Sequence, residues 1–197
     1  NFIGGDWMAN ITGLMPATTS DEPMSEKPRS QLPEWLPAEM DGIWGPYYFF
    51  NHVHSHDVDL LCHFLGTRFE VRHADWSREA KIVVLDFAGV PATLEVARAG
   101  DNRRWDEELK VYFERGWVHV RIPPPMLINV PAQVEVYHMG ERQEICDVHA
   151  PYDWSFLRQA QHVVDVVAGR AEPICTIADG LAQVTMTEAI FRKAAGV

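Results

Sequence analysis

Apolar positions along this chain keep a helical spacing at both ends and an alternating one in the middle. Between residues 55 and 65, Val58, Leu61, Cys62 and Leu65 fall on one helical face. Ser55 can cap that helix, Asp57 and Asp59 suit its positive end, and Gly66 can close it. Strand patterns follow over Phe69–Arg72, Lys81–Phe87 and Ala92–Arg98. Leu109–Glu114 and Trp117–Ile122 flank Arg115-Gly116, which reads as a two-residue hairpin turn. Pro123-Pro124-Pro125 interrupts the sheet, and Gln133–His138 and Glu144–Val148 flank a turn at 139–142. The tail returns to helical spacing: Phe156, Ala160, Val163, Val164 and Val167 share a face, Gly169 stops it, and Asp179 opens a last helix to about Ala195.

Strands gathered between terminal helices predict an α+β fold with an antiparallel sheet, rather than the strand–helix alternation of a doubly wound parallel one. Residues 16–46 differ from the rest. Pro16, Pro23, Pro28, Pro33, Pro37 and Pro46 punctuate them, which predicts a long excursion, and Trp35, Trp44, Tyr47 and Tyr48 would anchor its second half. The expected organisation is a remnant segment over 1–15, the Pro-rich excursion over 16–46, and one α+β body over 47–197. The opening run Asn1-Phe2-Ile3-Gly4-Gly5-Asp6 reads like the middle of an element, as in a fragment or a processed chain.

Charge and cysteine usage narrow the function. A formal net charge of −11, with 17 Lys and Arg scattered in runs of two at most, excludes a phosphate-neutralising nucleic-acid binder. Cys62, Cys146 and Cys175 are widely spaced and odd in number, which fits a reducing cytoplasm better than a disulfide framework. No apolar run is long enough to cross a bilayer, so no membrane partner is expected.

The densest chemistry lies in Asn51-His52-Val53-His54-Ser55-His56-Asp57-Val58-Asp59. Three histidines at even spacing share one side if the segment is extended. If it turns helical at Ser55, His56 stands at a helix mouth, where an imidazole can take a proton from a hydroxyl. The structural alternative is half-buried histidines satisfying backbone carbonyls. Asn51 can bond a substrate hydroxyl or hold a turn, and His54, Tyr48 and Trp35 complete the candidate substrate contacts. The aromatics suit the apolar faces of sugar rings or, equally, loop anchoring. Asp59 reads as a residue that pairs locally or orients the helix rather than one that reacts. Trp105, Trp117, Trp154, Phe156 and Phe191 read as packing residues, and Arg103-Arg104 as solvated surface.

The run His56-Asp57-Val58-Asp59-Leu60-Leu61, closing at Phe64-Leu65-Gly66, resembles the C-terminal-domain signature of Gfo/Idh/MocA oxidoreductases. So does the later series Trp154-Ser155-Phe156, Gly169-Arg170-Ala171-Glu172-Pro173, Asp179-Gly180-Leu181 and Glu188-Ala189. Leu127 to Ala132, with the prolines before them, resemble the corresponding stretch of a group acting on larger sugars or glycosides. The likeness runs from about Ile43 to Val197. It implies a large, open, mainly antiparallel sheet with helices on one face, and a homo-oligomer through the sheet. It also implies a substrate that is a secondary alcohol of a sugar, polyol or glycoside. His56 would contact the reacting hydroxyl while NAD or NADP takes the hydride. His52 stands where the family has Asp and would assist or replace it. His54 stands where the family often has Gly and would narrow the pocket.

The cofactor-binding half is not legible. No G-x-G-x-x-G run exists, so no cofactor-binding residues are assigned and this chain alone is not expected to hold a dinucleotide. Glu26-Lys27-Pro28 matches a family tripeptide in letters but sits in the Pro-rich stretch rather than after a buried strand. Two other function classes stay open. One is a non-enzymatic sugar-binding or assembly module. The other is a metal-dependent hydrolase using His52, His54 and His56, with His119, His138 or His149 recruited, although nothing in the spacing assigns metal ligands.

Overall fold

The computed structural model describes residue 34 and residues 42–76, 80–97 and 105–197. Most of the Pro-rich excursion, Gly4-Gly5, Lys27, Trp35 and Arg103-Arg104 lie outside the described residues. The element order is α1 (Trp44–Val53), α2 (Ser55–Leu65), β1 (Glu70–Asp75), β2 (Ala80–Phe87), β3 (Val90–Ala97), β4 (Glu107–Phe113), β5 (Gly116–Ile122), β6 (Gln133–Met139), β7 (Gln143–His149), α3 (Ser155–Val167) and α4 (Ile177–Ala195). The class is α+β, with antiparallel strands in the middle and helices at either end, as expected. Among the described residues the strands form a three-stranded sheet, β1-β2-β3, and a four-stranded sheet, β4-β5-β6-β7. No described helix is long and apolar enough to cross a membrane.

The chain divides into two compact units. The first combines α1, α2, the three-stranded sheet and α4, and it holds the hydrophobic core. Phe50 from α1, Val58 and Leu61 from α2, Val83, Leu85 and Phe87 from β2, Leu94 and Val96 from β3, and Met186, Ile190 and Phe191 from α4 are all buried together. In β2 the buried residues Val83, Leu85 and Phe87 alternate, so one face of the sheet looks inward. β1 carries a bulge between Val71 and His73 against β2. Pro46 falls in the first turn of α1, where a missing N–H leaves no helical bond unmade, so α1 starts before the boundary expected at 47. Ala88 and Gly89, both at positive φ, make the tight β2–β3 turn, and the Gly89 N–H donates to the Asp86 carboxylate at 2.8 Å.

The termini of α4 follow from its sequence. Thr176 caps it, and Thr176 and Asp179 exchange side-chain and backbone bonds in a capping box. Asp179 is thus the third helical residue rather than the opening one. Gly196 ends the helix in the left-handed conformation.

The second unit carries the four-stranded sheet and α3. Its pairing register places Leu109, Val120, Val134 and Val148 across from one another, and likewise Val111, Val118, Val136 and Cys146. Cross-strand partners share a face, so these rows make an apolar face. The alternate rows Lys110, His119, Glu135, Asp147 and Glu108, Arg121, Gln133, His149 make a charged one. There the imidazole of His119 addresses Glu108 at 2.8 Å and Glu135 at 3.5 Å, and Lys110 stands over the Trp117 ring at 4.3 Å. The β4–β5 turn is made by Glu114 and Arg115, because Gly116 already pairs with Phe113. A side chain at Gly116 would meet the Tyr137 carbonyl oxygen at 2.0 Å. α3 ends near Gly169, and Leu157, Val163, Val164 and Val167 on it are exposed.

Candidate functional site

The histidine-rich segment is helical almost throughout. His52 lies in the last turn of α1, His54 is the joint, and His56 is the second residue of α2. The even spacing therefore never becomes an extended strand with three rings on one side. The α1–α2 corner instead puts the three side chains into different surroundings. His52 and His56 are exposed, whereas His54 is only 3% exposed.

Each neighbour has a definite place. Tyr48 precedes His52 by one helical turn, and their rings meet edge-on at 4.3 Å. Asn51 donates its side-chain amide to the Tyr47 carbonyl at 3.0 Å, so it binds α1 in this conformation. The Tyr47 ring stacks on Trp44 and meets Phe191 edge-on, joining α1 to α4. Burial pushes the Tyr47 phenol above its ordinary value. The Asn51 side chain opposes this, and the Glu188 carboxylate adds to it.

His54 takes the N-cap position expected for Ser55, and its side chain makes no cap bond to the backbone. Its Nδ1 lies 3.1 Å from the Asp57 carboxylate. Its ring packs against Phe50 at 5.2 Å and Phe49 at 6.0 Å. A carboxylate only accepts, so in this bond Nδ1 carries the proton and donates. The sequence pattern alone does not pair Asp57 with His54. The available signal was the spacing from a cap to the third helical residue, familiar from capping boxes. Asp59 is half-buried on α2. Burial, followed by the Asp59 and Asp179 carboxylates, pushes the nearby Cys62 thiol up.

Among the described residues, no group of three or more His, Cys, Asp or Glu side chains is arranged to hold a metal ion. The donors proposed for a hydrolase are thus not gathered by this corner. Nor do the described residues include a Gly-rich strand–turn–helix able to cradle a pyrophosphate. What the corner offers is two exposed imidazoles, one of them against the Tyr48 ring, on helices whose inner residues Phe50, Val58 and Leu61 pack into the core.

No family model matches the chain, and no curated protein does. Solved structures do match. One is KijD10, a 3-ketoreductase from Actinomadura kijaniata in complex with TDP-benzene and NADP, with TM-score 0.58 and 15% identity over 73% of this chain and 46% of that one. Another is yvaA from Bacillus subtilis, an oxidoreductase by description, with TM-score 0.54 and 10% identity over 74% of this chain and 48% of that one. A Bacteroides fragilis protein, likewise described as an oxidoreductase, matches with TM-score 0.53 and 13% identity, again over 74% and 48%. The chain therefore shares a fold with solved oxidoreductases and spans about half the length of the structures it matches.

Proposed function

We propose that the chain is the substrate-binding and assembly part of an NAD(P)-dependent oxidoreductase of the Gfo/Idh/MocA kind, acting on a secondary alcohol of a sugar, polyol or glycoside. The observation that carries this reading is the α1–α2 corner, which exposes His56 at the mouth of α2 and exposes His52, in ring contact with Tyr48, at the end of α1. The likeness in fold to KijD10, which binds NADP and TDP-benzene, supports it.

In this reading His56 accepts the hydroxyl proton during oxidation and returns it during reduction. His52 supplies the second proton-handling group in place of a carboxylate. Tyr48 and Asn51 line the approach, with Asn51 leaving its Tyr47 contact when substrate enters, and Trp35 belongs to the same substrate-binding set; His54, expected among the substrate contacts, is only 3% exposed and bonded to Asp57, so it supports this set from beneath. The dinucleotide would accept or donate the hydride, and its binding residues lie elsewhere in the protein. A second copy on the four-stranded sheet completes the assembly, and the site works in the cytoplasm.

The test is turnover of NAD(P)H by the protein as encoded, with a panel of sugars, polyols and nucleotide-linked sugars. H56A should lower kcat by about 10²–10⁴-fold, the usual contribution of a general base, and leave dinucleotide binding intact. Undiminished turnover in H56A would remove the reading.

A further inference from the structure

We propose that His54 is a positioning residue: held by Asp57, it sets the angle at which α1 and α2 meet and so fixes the imidazoles of His52 and His56 relative to each other. The inference rests on the role given above to His56, and it concerns what holds that role in place.

The backbone at His54 belongs to both helices. Its N–H donates to the Phe50 carbonyl at 2.8 Å, closing α1, and its carbonyl accepts from the Val58 N–H at 3.2 Å, opening α2. Its φ of −96° and ψ of 6° lie outside the helical basin, so this single residue carries the change of direction. His52 precedes it by two residues and His56 follows by two. Small rotations at 54 are therefore converted directly into displacement of one ring relative to the other.

The side chain removes that freedom. Its ring lies 5.2 Å from that of Phe50, itself buried in the core, and 6.0 Å from that of Phe49. Its Nδ1–H is taken by Asp57, which is only 13% exposed. Asp57 sits on the first turn of α2, next to His56. The imidazole thus ties the start of α2 to the end of α1 by a polar bond on one side and aromatic packing on the other. Loss of the donor would leave a poorly solvated carboxylate without this partner, and α2 would turn to expose it.

The experiment uses the full protein and three variants: H54L, H54N and D57N. Leu fills the space without a donor. Asn places an amide donor near Nδ1 and should restore the bond to Asp57. D57N keeps the size of its partner and removes the charge. Imidazole NMR should show a protected Nδ1–H at His54 whose protection falls in D57N, where a weaker neutral acceptor replaces the carboxylate. The ring resonances of His52 and His56 should shift together in H54L and return toward wild type in H54N.

In turnover, H54L should lower kcat by about 10–100-fold, as expected for a displacement near 1 Å at a reacting group, with a smaller change in KM. In the H54L/H56A double variant the two losses should not add. If H54L leaves the His52 and His56 resonances in place, or if H54N fails to restore them, His54 only fills space and the proposal is overturned. Failure of the oxidoreductase reading looks different: H56A would then leave turnover unchanged, while the ring shifts in H54L would still report the joint.

Discussion

Replacing Phe50 by Ala would test whether the candidate site stands on the core or merely lies over it. Phe50 is 1% exposed, and its ring meets Trp76 at 5.5 Å, Phe191 at 5.7 Å and His54 at 5.2 Å. One side chain therefore links the end of α1 to α4, to the end of β1 and to the joint residue. Truncation removes the transfer free energy of a buried ring and leaves a cavity that the sheet cannot close, about 3–5 kcal/mol in similar cases. The aromatic contacts are part of that range and not an addition to it. For a chain of this length each kcal/mol lowers Tm by about 2–4 °C, so F50A should melt on the order of 6–20 °C early. Phe49, the preceding residue, is 41% exposed, and its ring lies 6.0 Å from that of His54. F49A should lose less than about 1 kcal/mol, as substitutions outside the core do. Thermal unfolding followed by far-ultraviolet circular dichroism gives both values under one set of conditions. Equal shifts in F49A and F50A would refute the assignment of inner and outer faces to α1, and with it the exposed setting of Tyr48 and His52.

Two further substitutions probe the rest of the fold. G116A should destabilise the four-stranded sheet by at least about 1–3 kcal/mol, the usual range for a strained backbone position. Gly116 has φ of +149°, and its new methyl would meet the Tyr137 carbonyl at 2.0 Å. G140A meets the movable His138 ring at 3.2 Å and the Arg142 carbonyl at an ordinary 3.5 Å and should be nearly neutral, so equal Tm values for the two variants would contradict the β5–β6 register. At the start of α4, hydrogen bonds from the Thr176 hydroxyl and then its backbone N–H hold the Asp179 carboxyl below its usual value. A depressed folded value means that the unfolded chain binds the extra proton. The stabilisation is therefore present above the ordinary carboxylate range and is lost as pH falls through the folded value. T176A should lose about 0.5–2 kcal/mol at neutral pH and flatten the acid limb of a stability–pH curve; an unchanged limb would exclude the capping box as its source.

Element identity was legible wherever a short-range rule decides it. The helix over 55–65, the β2 run and both hairpins of the four-stranded sheet follow from period, turn residues and a closing Gly. Boundaries shifted where a residue does two jobs. The sequence places Gly116 in the turn, but it is the first paired residue of β5, because a Gly there lets the Tyr137 backbone approach. Asp179 was read as the helix start, but the cap is Thr176, and Asp179 returns its bond from the third position. α1 was hidden by the Pro and aromatic residues around it, since a Pro in a first turn carries no penalty that sequence order can display.

The candidate site shows a different kind of illegibility. His52, His54 and His56 are equivalent in a strand, and a continuous helix would place His52 and His56, four residues apart, on one face with His54 turned away. Neither pattern alone gives the observed corner. Helix geometry separates His54 from the other two. The break at His54 then decides where the two exposed rings stand, because they belong to different helices. That break depends on a contact between residues 54 and 57 and on Phe50 reaching the core formed with α4, more than a hundred residues later in the chain. A motif could therefore announce which imidazole is chemically interesting, but its geometry is set by a buried neighbour whose importance appears only after the distant helix has packed.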